Sequence, residues 1–309
     1  MSDPAERTPG AILIGTQGFS YDGWNGLVYP PGTRPADRLA RYARTFPLVE
    51  IDRTFYGPPR ASEVDRWISQ TPDTFRFTAK VPRQITHDAR LQGPDALRQL
   101  EDFLKTITRL GDRLGAVVLQ LGPGFQFPRD ADGLSRALQL LPTISPPSLR
   151  VAVEFRHPSW IEAPDVEARL REARVAWVWN DWEPGPNPWA AMPRAIDEPR
   201  AFRETADFAY LRLTGDHDIT IDYQTITIDR GADLRRWAEL ISKWRENQMK
   251  NGRTGNVFVL LNNHYSGSSP RSASALRQLL DLPPVQFGAE PEWSSPTSSA
   301  SLPMRLPGF

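Results

Sequence analysis

Three acids, three bases and two amides share one phase of the strand-like runs in this chain: Glu50, Asp52 and Glu154; Lys80, Arg156 and Arg212; Gln120 and Asn262. The pattern is plainest in Leu149-Arg-Val-Ala-Val-Glu-Phe-Arg-His-Pro-Ser-Trp160, where Val151, Val153 and Phe155 alternate with Ala152, Glu154 and Arg156 until Pro158 stops the strand. A period of two puts Glu154 and Arg156 on one face. In a dry interior such groups would carry a large desolvation cost. They must therefore pair with one another, be hydrated, or bind something. Arginine's planar fork suits phosphate or carboxylate, lysine adds a mobile point charge, and carboxyl groups supply general acid–base chemistry. The expected catalytic residues are Glu154, Glu50 and Asp52. The expected substrate-binding residues are Lys80, Arg156, Arg212, Gln120 and Asn262, with His157 and Tyr56 beside them.

Other chemistries find less support. There are no cysteines, which excludes disulfides, thiolate metal sites, iron–sulfur clusters and a cysteine nucleophile. All four histidines, His87, His157, His217 and His264, follow strand-like runs. No His-x-His or His-Glu-x-x-His spacing accompanies them, so a divalent metal is possible but not favoured, and the cofactor is unknown. There is no Gly-x-Ser-x-Gly elbow, Gly-x-Gly-x-x-Gly turn or Walker motif. Tyr21, Trp24, Tyr56, Trp160, Trp182, Trp189 and Tyr265 follow the same runs and either stack on a ligand or pack long loops.

The elements that must position these residues alternate. Strand-like runs fall at 11–16, 48–56, 75–81, 115–121, 149–156, 175–181, 208–214 and 256–261. Helical patterns fall at 36–46, from Ser62 onward, and at 94–110, 133–141, 165–174, 233–250 and 272–280. An irregular loop occupies 182–199, and 220–228 reads as a small hairpin or an extended loop. Strict alternation implies a parallel sheet with right-handed crossovers. Eight units favour an α/β fold with a single TIM-type (β/α)8 barrel, which needs ~250 of the 309 residues. The expected division is a flexible segment at 1–10, the barrel at 11–283 with short extra segments, and a Pro/Ser-rich tail at 284–309.

Lys+Arg and Asp+Glu both number 37. That balance argues against an extended nucleic-acid surface but not against a local basic pocket. No apolar leader opens the sequence, and no run approaches the ~20 residues of a membrane span. A cytoplasmic protein without membrane contact is expected, and its oligomeric state is not legible.

Several motifs together resemble the YecE family, catalogued as a domain of unknown function. They are Ile14-Gly-Thr-Gln-Gly-Phe-Ser-Tyr21, Val49-Glu-Ile-Asp-Arg-Thr-Phe-Tyr56, Phe75-Arg-Phe-Thr-Ala-Lys-Val-Pro82 and Gln120-Leu-Gly-Pro123. With them go Ala152-Val-Glu-Phe-Arg-His-Pro-Ser-Trp160, Tyr210-Leu-Arg-Leu-Thr-Gly215 and Asn262-Asn263. The resemblance runs from about residue 12 to 282. It implies a TIM-type barrel and brings no settled reaction. From the residues, the expected function is a phosphoesterase-type hydrolase acting on a small anionic or phosphorylated substrate at the C-terminal mouth of the barrel. The alternatives are a non-catalytic module binding a phosphorylated metabolite or nucleic-acid end, and a glycoside-processing enzyme using Glu50 and Glu154. Glu154→Gln is expected to keep the fold and abolish activity.

Overall fold

The computed structural model of the chain describes residues 10–182, 192–216 and 222–287. Nine parallel strands form one sheet: β1 (Ile12–Gln17), β2 (Leu48–Ile51), β3 (Arg76–Lys80), β4 (Leu114–Gln120), β5 (Val151–Glu154), β6 (Val175–Trp177), β7 (Trp179–Trp182), β8 (Ala209–Gly215) and β9 (Val257–Leu261). Their spatial order is β6-β5-β4-β3-β2-β1-β9-β8-β7. The two ends of this order are halves of one chain segment. Only Val178 separates β6 from β7, and its N–H donates to Val153 O at 2.9 Å. Its first half pairs with β5 and its second with β8, so a single segment spans the gap between the two edges. The nine strands are therefore the eight staves that the alternation predicts.

The helices α1 (Arg38–Thr45), α2 (Ala61–Ser69), α3 (Gly93–Ile107), α4 (Ala131–Ile144), α5 (Val166–Glu172), α6 (Gly231–Lys250) and α7 (Ser269–Leu279) lie between strands. Each buries one stripe. In α3 it is Ala96, Leu100, Phe103, Leu104 and Ile107, at the three- and four-residue spacing of a helix face. The stretch between β7 and β8 carries only the short turn Pro199–Ala201 among its described residues.

The hydrophobic core has two parts. The larger lies between sheet and helices. The smaller fills the lower half of the barrel interior with Leu48, Ala116, Val118, Ala152, Ala176, Val178, Phe208, Tyr210, Phe258 and Leu260. Above it, the interior turns polar.

Two local features depart from the sequence reading. The second strand stops at Ile51, and Asp52–Tyr56 winds into a 3-10 turn. Thr54 Oγ1 holds that turn, lying 2.7 Å from Ile51 O and 2.6 Å from Lys80 O at the ends of β2 and β3. A π-helical turn, Gln84–Asp88, follows β3 where no element is expected. Residues 222–228 form no strand, which fits the extended loop of the two expected alternatives. Most of the N-terminal segment and of the expected tail, together with Trp189 and His217, lie outside the described residues.

Candidate active site

Strand register sets the site. Gln17 of β1 pairs with Glu50 of β2, and Glu50 with Thr78 of β3. Gln120 of β4 pairs with Glu154 of β5. These side chains reach the interior at neighbouring heights, because inward residues of adjacent parallel strands form layers. Arg212 of β8 extends into that layer. Its Nε lies 3.1 Å from Glu50 Oε2, and its Nη2 lies 2.7 Å from Glu50 Oε1 and 3.0 Å from Gln17 Oε1. Its Nη1 donates to Glu154 Oε2. Tyr210 donates to Glu50 Oε2 at 2.8 Å and lies 2.8 Å from Thr78 Oγ1. Gln120 Nε2 and Arg156 Nε reach Glu154 at 3.0 and 2.7 Å.

Both glutamates are fully buried. Burial alone would raise the carboxyl of Glu154, but Arg156 and Arg212 outweigh it and hold Glu154 well below the ordinary carboxylate range. Each oxygen of Glu50 and Glu154 accepts a hydrogen bond from within this network, and neither side chain lines the cavity above.

That cavity, about 300 Å³, opens at the C-terminal ends of the strands. Its lining includes Gln17, Asp52, Lys80, Gln120, Arg156, Arg212, Thr214 and Asn262, with Tyr21, Phe55, Tyr56, His87, Tyr223, Asn263 and His264 around the mouth. Asp52 keeps 29 % of its side-chain surface, and Arg212 Nη2 stands 3.9 Å from its Oδ1. Burial first, then Glu50 alongside, pushes Asp52 up to about 7, against the pull of Lys80 and Arg212. Asp52 thus keeps its proton to near neutrality, whereas Glu154 does not. Lys80 Nζ rests 3.9 Å over the Phe55 ring. Burial and then the neighbouring Arg212 pull its ammonium down to about 8. Arg156 stacks on Trp182 at 4.9 Å and spends only its Nε on Glu154. Burial, then Arg156 and Lys80, pulls His87 down to about 4, leaving it neutral.

Of the ten expected site residues, Asp52, Lys80, Arg156, Arg212, Gln120, Asn262 and Tyr56 line the cavity, and Glu50 and Glu154 lie beneath its floor. His157 does not line it. Its Nδ1 accepts from Ser159 N at 3.2 Å and caps the turn Pro158–Trp160, so the ring serves the backbone. Among the aromatic residues after the strands, Trp24, Trp160 and Tyr265 are buried in the packing of the loops. Trp160, for example, stacks on Phe125 and Phe155. Gln17, Thr78 and Tyr210 belong to the network although sequence reasoning did not select them. The same period of two, counted back from Lys80 and Arg212, marks Thr78 and Tyr210. His87 depends on the π-helical turn, for which the sequence carried no signal. Among the described residues, no group of three His, Cys, Asp or Glu side chains is placed to hold a metal ion.

A family model described as "Protein of unknown function DUF72" matches residues 13–296. The UPF0759 protein YunF of Bacillus subtilis (strain 168) is 26% identical over 282 residues, covering 88% of this chain and 95% of that protein. The UPF0759 protein YecE of Escherichia coli (strain K12) is 37% identical over 159 residues, 52% of this chain and 53% of that protein. A crystal structure of a DUF72 family protein from Thermotoga maritima aligns with TM-score 0.67 at 24% identity, covering 88% of this chain and 99% of that one. This last likeness concerns the fold.

Proposed function

Since the chain belongs to the DUF72 family, described as proteins of unknown function, we propose its function from the cavity itself: an enzyme that binds a small phosphorylated or carboxylated substrate at the C-terminal mouth of the barrel and cleaves it hydrolytically, as a phosphoesterase does. The observation that carries this reading is the imbalance of donors. Glu50 and Glu154 are occupied by Arg212, Tyr210 and Gln120, while Lys80 and the outer nitrogens of Arg156 face the cavity without a hydrogen bond or ion pair among the described residues. Three cations then stand over Glu50, Glu154 and Asp52. When Asp52 holds its proton, one positive charge is left over, so an anion and that proton favour each other. Asp52 is the group to protonate a leaving oxygen, and Lys80 and Arg156 would take the developing negative charge.

Asp52→Asn tests the assignment. It is expected to lower turnover of a phosphate-ester panel about 10²–10⁴-fold, the usual worth of a positioned acid. Inorganic phosphate should still raise the unfolding temperature of that variant. Undiminished turnover would remove Asp52 from the reaction.

A second reading, binding without turnover, draws on the saturation of Glu50, Glu154 and Arg212. The partner would be a phosphorylated metabolite or nucleic-acid end, and a depression lined by Arg53, Arg60 and Arg66 together with Glu63, which pairs with Arg53, adjoins the same 3-10 turn. Phosphate binding with no hydrolysis of any ester by the unmodified chain would favour it. A glycoside-processing pair gains no support from Glu50 and Glu154, which share one arginine below the cavity. No helix among the described residues is long and apolar enough to cross a membrane.

A further inference from the structure

Lysine is scarce in this chain. Of 37 basic residues, only Lys80, Lys105, Lys243 and Lys250 are lysines. Lys105 lies on α3, and Lys243 and Lys250 lie on α6, all three exposed. Lys80 alone is buried, at the C-terminal end of a barrel strand, and it faces the cavity. A chain that uses guanidinium almost everywhere keeps an amine at this one interior position. The distinction is chemical, because a guanidinium stays protonated in a protein whereas an ammonium can give up its proton and become a nucleophile.

The surroundings favour that change. Lys80 Nζ lies over the face of Phe55, with Arg212 and Arg156 in the same wall. No acid stands within ion-pair distance of it among the described residues. Desolvation and neighbouring cations are the two conditions that free a lysine amine near neutral pH. Asp52 lines the same cavity, and no ion pair joins it to Lys80 among the described residues. Glu50 faces Asp52 from β2, and His87 flanks the mouth after β3.

We infer that Lys80 forms a Schiff base with a small aldehyde or ketone that carries a phosphate or carboxylate group, with Arg156 holding the anion and Asp52 moving the protons. This rests on the anion-binding part of the function proposed above and adds a covalent step to it. The free amine of Lys80 attacks the carbonyl carbon. The C=O π pair moves to oxygen, which takes the proton of Asp52. The new N–C bond leaves nitrogen with an extra proton, which returns to the Asp52 carboxylate. Asp52 then protonates the hydroxyl, the C–O bond breaks, water departs, and the nitrogen lone pair closes the C=N bond. Amine, carbonyl and one proton become a protonated imine and water, with no oxidant or reductant. The imine's positive charge stays over the Phe55 face, where the ammonium already sits.

Reductive trapping on the full chain tests this. The protein is incubated at about pH 8, where the Lys80 amine is partly free and surface lysines remain protonated, with glycolaldehyde phosphate or glyoxylate, and with propanal as an uncharged comparator. Borohydride then fixes any imine, and mass spectrometry quantifies the four lysine-containing peptides. Lys80 should be labelled at least about tenfold faster than Lys105, Lys243 and Lys250, because a depressed pKa raises its free-amine fraction. Added inorganic phosphate should slow that labelling, and propanal should show no such preference. Asp52→Asn should slow it as well while keeping the phosphate-induced rise in unfolding temperature. If Lys80 labels no faster than the surface lysines in protein that phosphate still stabilises, the covalent step is overturned and the anion site stands. If propanal labels Lys80 as fast as the charged probes, the anionic substrate class is overturned. If phosphate stabilises nothing, the anion-binding reading itself falls.

Discussion

Arg212 has the fewest alternatives of any residue in the site. Its guanidinium joins Glu50, Glu154 and Gln17 from three different strands, and it is buried with them. Removing one member of a buried ion network leaves an uncompensated charge, which costs about 3–5 kcal/mol. Arg212→Met should therefore lower stability by an amount of that order, read by urea denaturation. Glu154→Gln should also destabilise, because Arg156, Arg212 and Gln120 all donate to that carboxylate. The sequence pattern suggested that this variant would keep the fold and lose only activity. Glu154 lies below the cavity floor rather than in its lining, and urea denaturation of Glu154→Gln alongside its activity separates a positioning role from a catalytic one. An unchanged denaturation midpoint in either variant would show that the network carries little stability.

At the scale of elements, close approach of backbones decides where the site residues stand. Gly15 lies in β1 two residues before Gln17, against β2. A Cβ there would fall 1.8 Å from Leu48 O. Gly15→Ala must push β1 away from β2, the pair that places Gln17 beside Glu50. Overpacking of this kind costs about 1–3 kcal/mol and sometimes more. The expected outcome is a lower unfolding temperature together with weaker phosphate binding, and a variant with wild-type values for both would contradict the register argument. The 3-10 turn Asp52–Tyr56 acts differently. By ending the strand at Ile51 it brings Asp52, Phe55 and Tyr56 to the cavity and leaves Arg53 to pair with Glu63 of α2.

For the whole molecule, the inward charges link stability to pH. His87 is pulled from 6.5 to about 4, so its contribution is present above 6.5 and is lost as pH falls toward 4. Asp52 is raised from 3.8 to about 7, so its contribution is present below 3.8 and is lost as pH rises through 7. The two oppose each other between these limits. Wild-type stability should change little there and then fall in acid, as Glu154, depressed from 4.5, is forced to take a proton. Asp52→Asn removes one side of the balance. Its stability should fall steadily between pH 6.5 and 4, the span set by the His87 values, and denaturation at stepped pH reads the difference. Ligand linkage is the companion measurement. Phosphate at 100 times its dissociation constant should add about 2.7 kcal/mol if it binds only the folded chain.

The sequence by itself determined the strand-and-helix alternation, and with it the barrel, because hydrophobic period and chain connectivity are local properties. Within the strands the period of two also marked Glu50, Lys80, Gln120, Glu154 and Arg212 as inward, whereas Asp52, Arg156 and Asn262 lie beyond the strand ends. It did not reveal which acids are already occupied. Glu50, Asp52 and Glu154 share one phase, yet Arg212 reaches from β8 to satisfy two of them and stands 3.9 Å from the third. Nor did it reveal that Lys80 rests over Phe55 or that His87 turns toward the mouth, both of which depend on turns after β2 and β3. Only the closed barrel decides these points, because desolvation and charge pairing depend on distances between residues as far apart in the chain as Glu50 and Arg212, 162 positions, which no local pattern encodes.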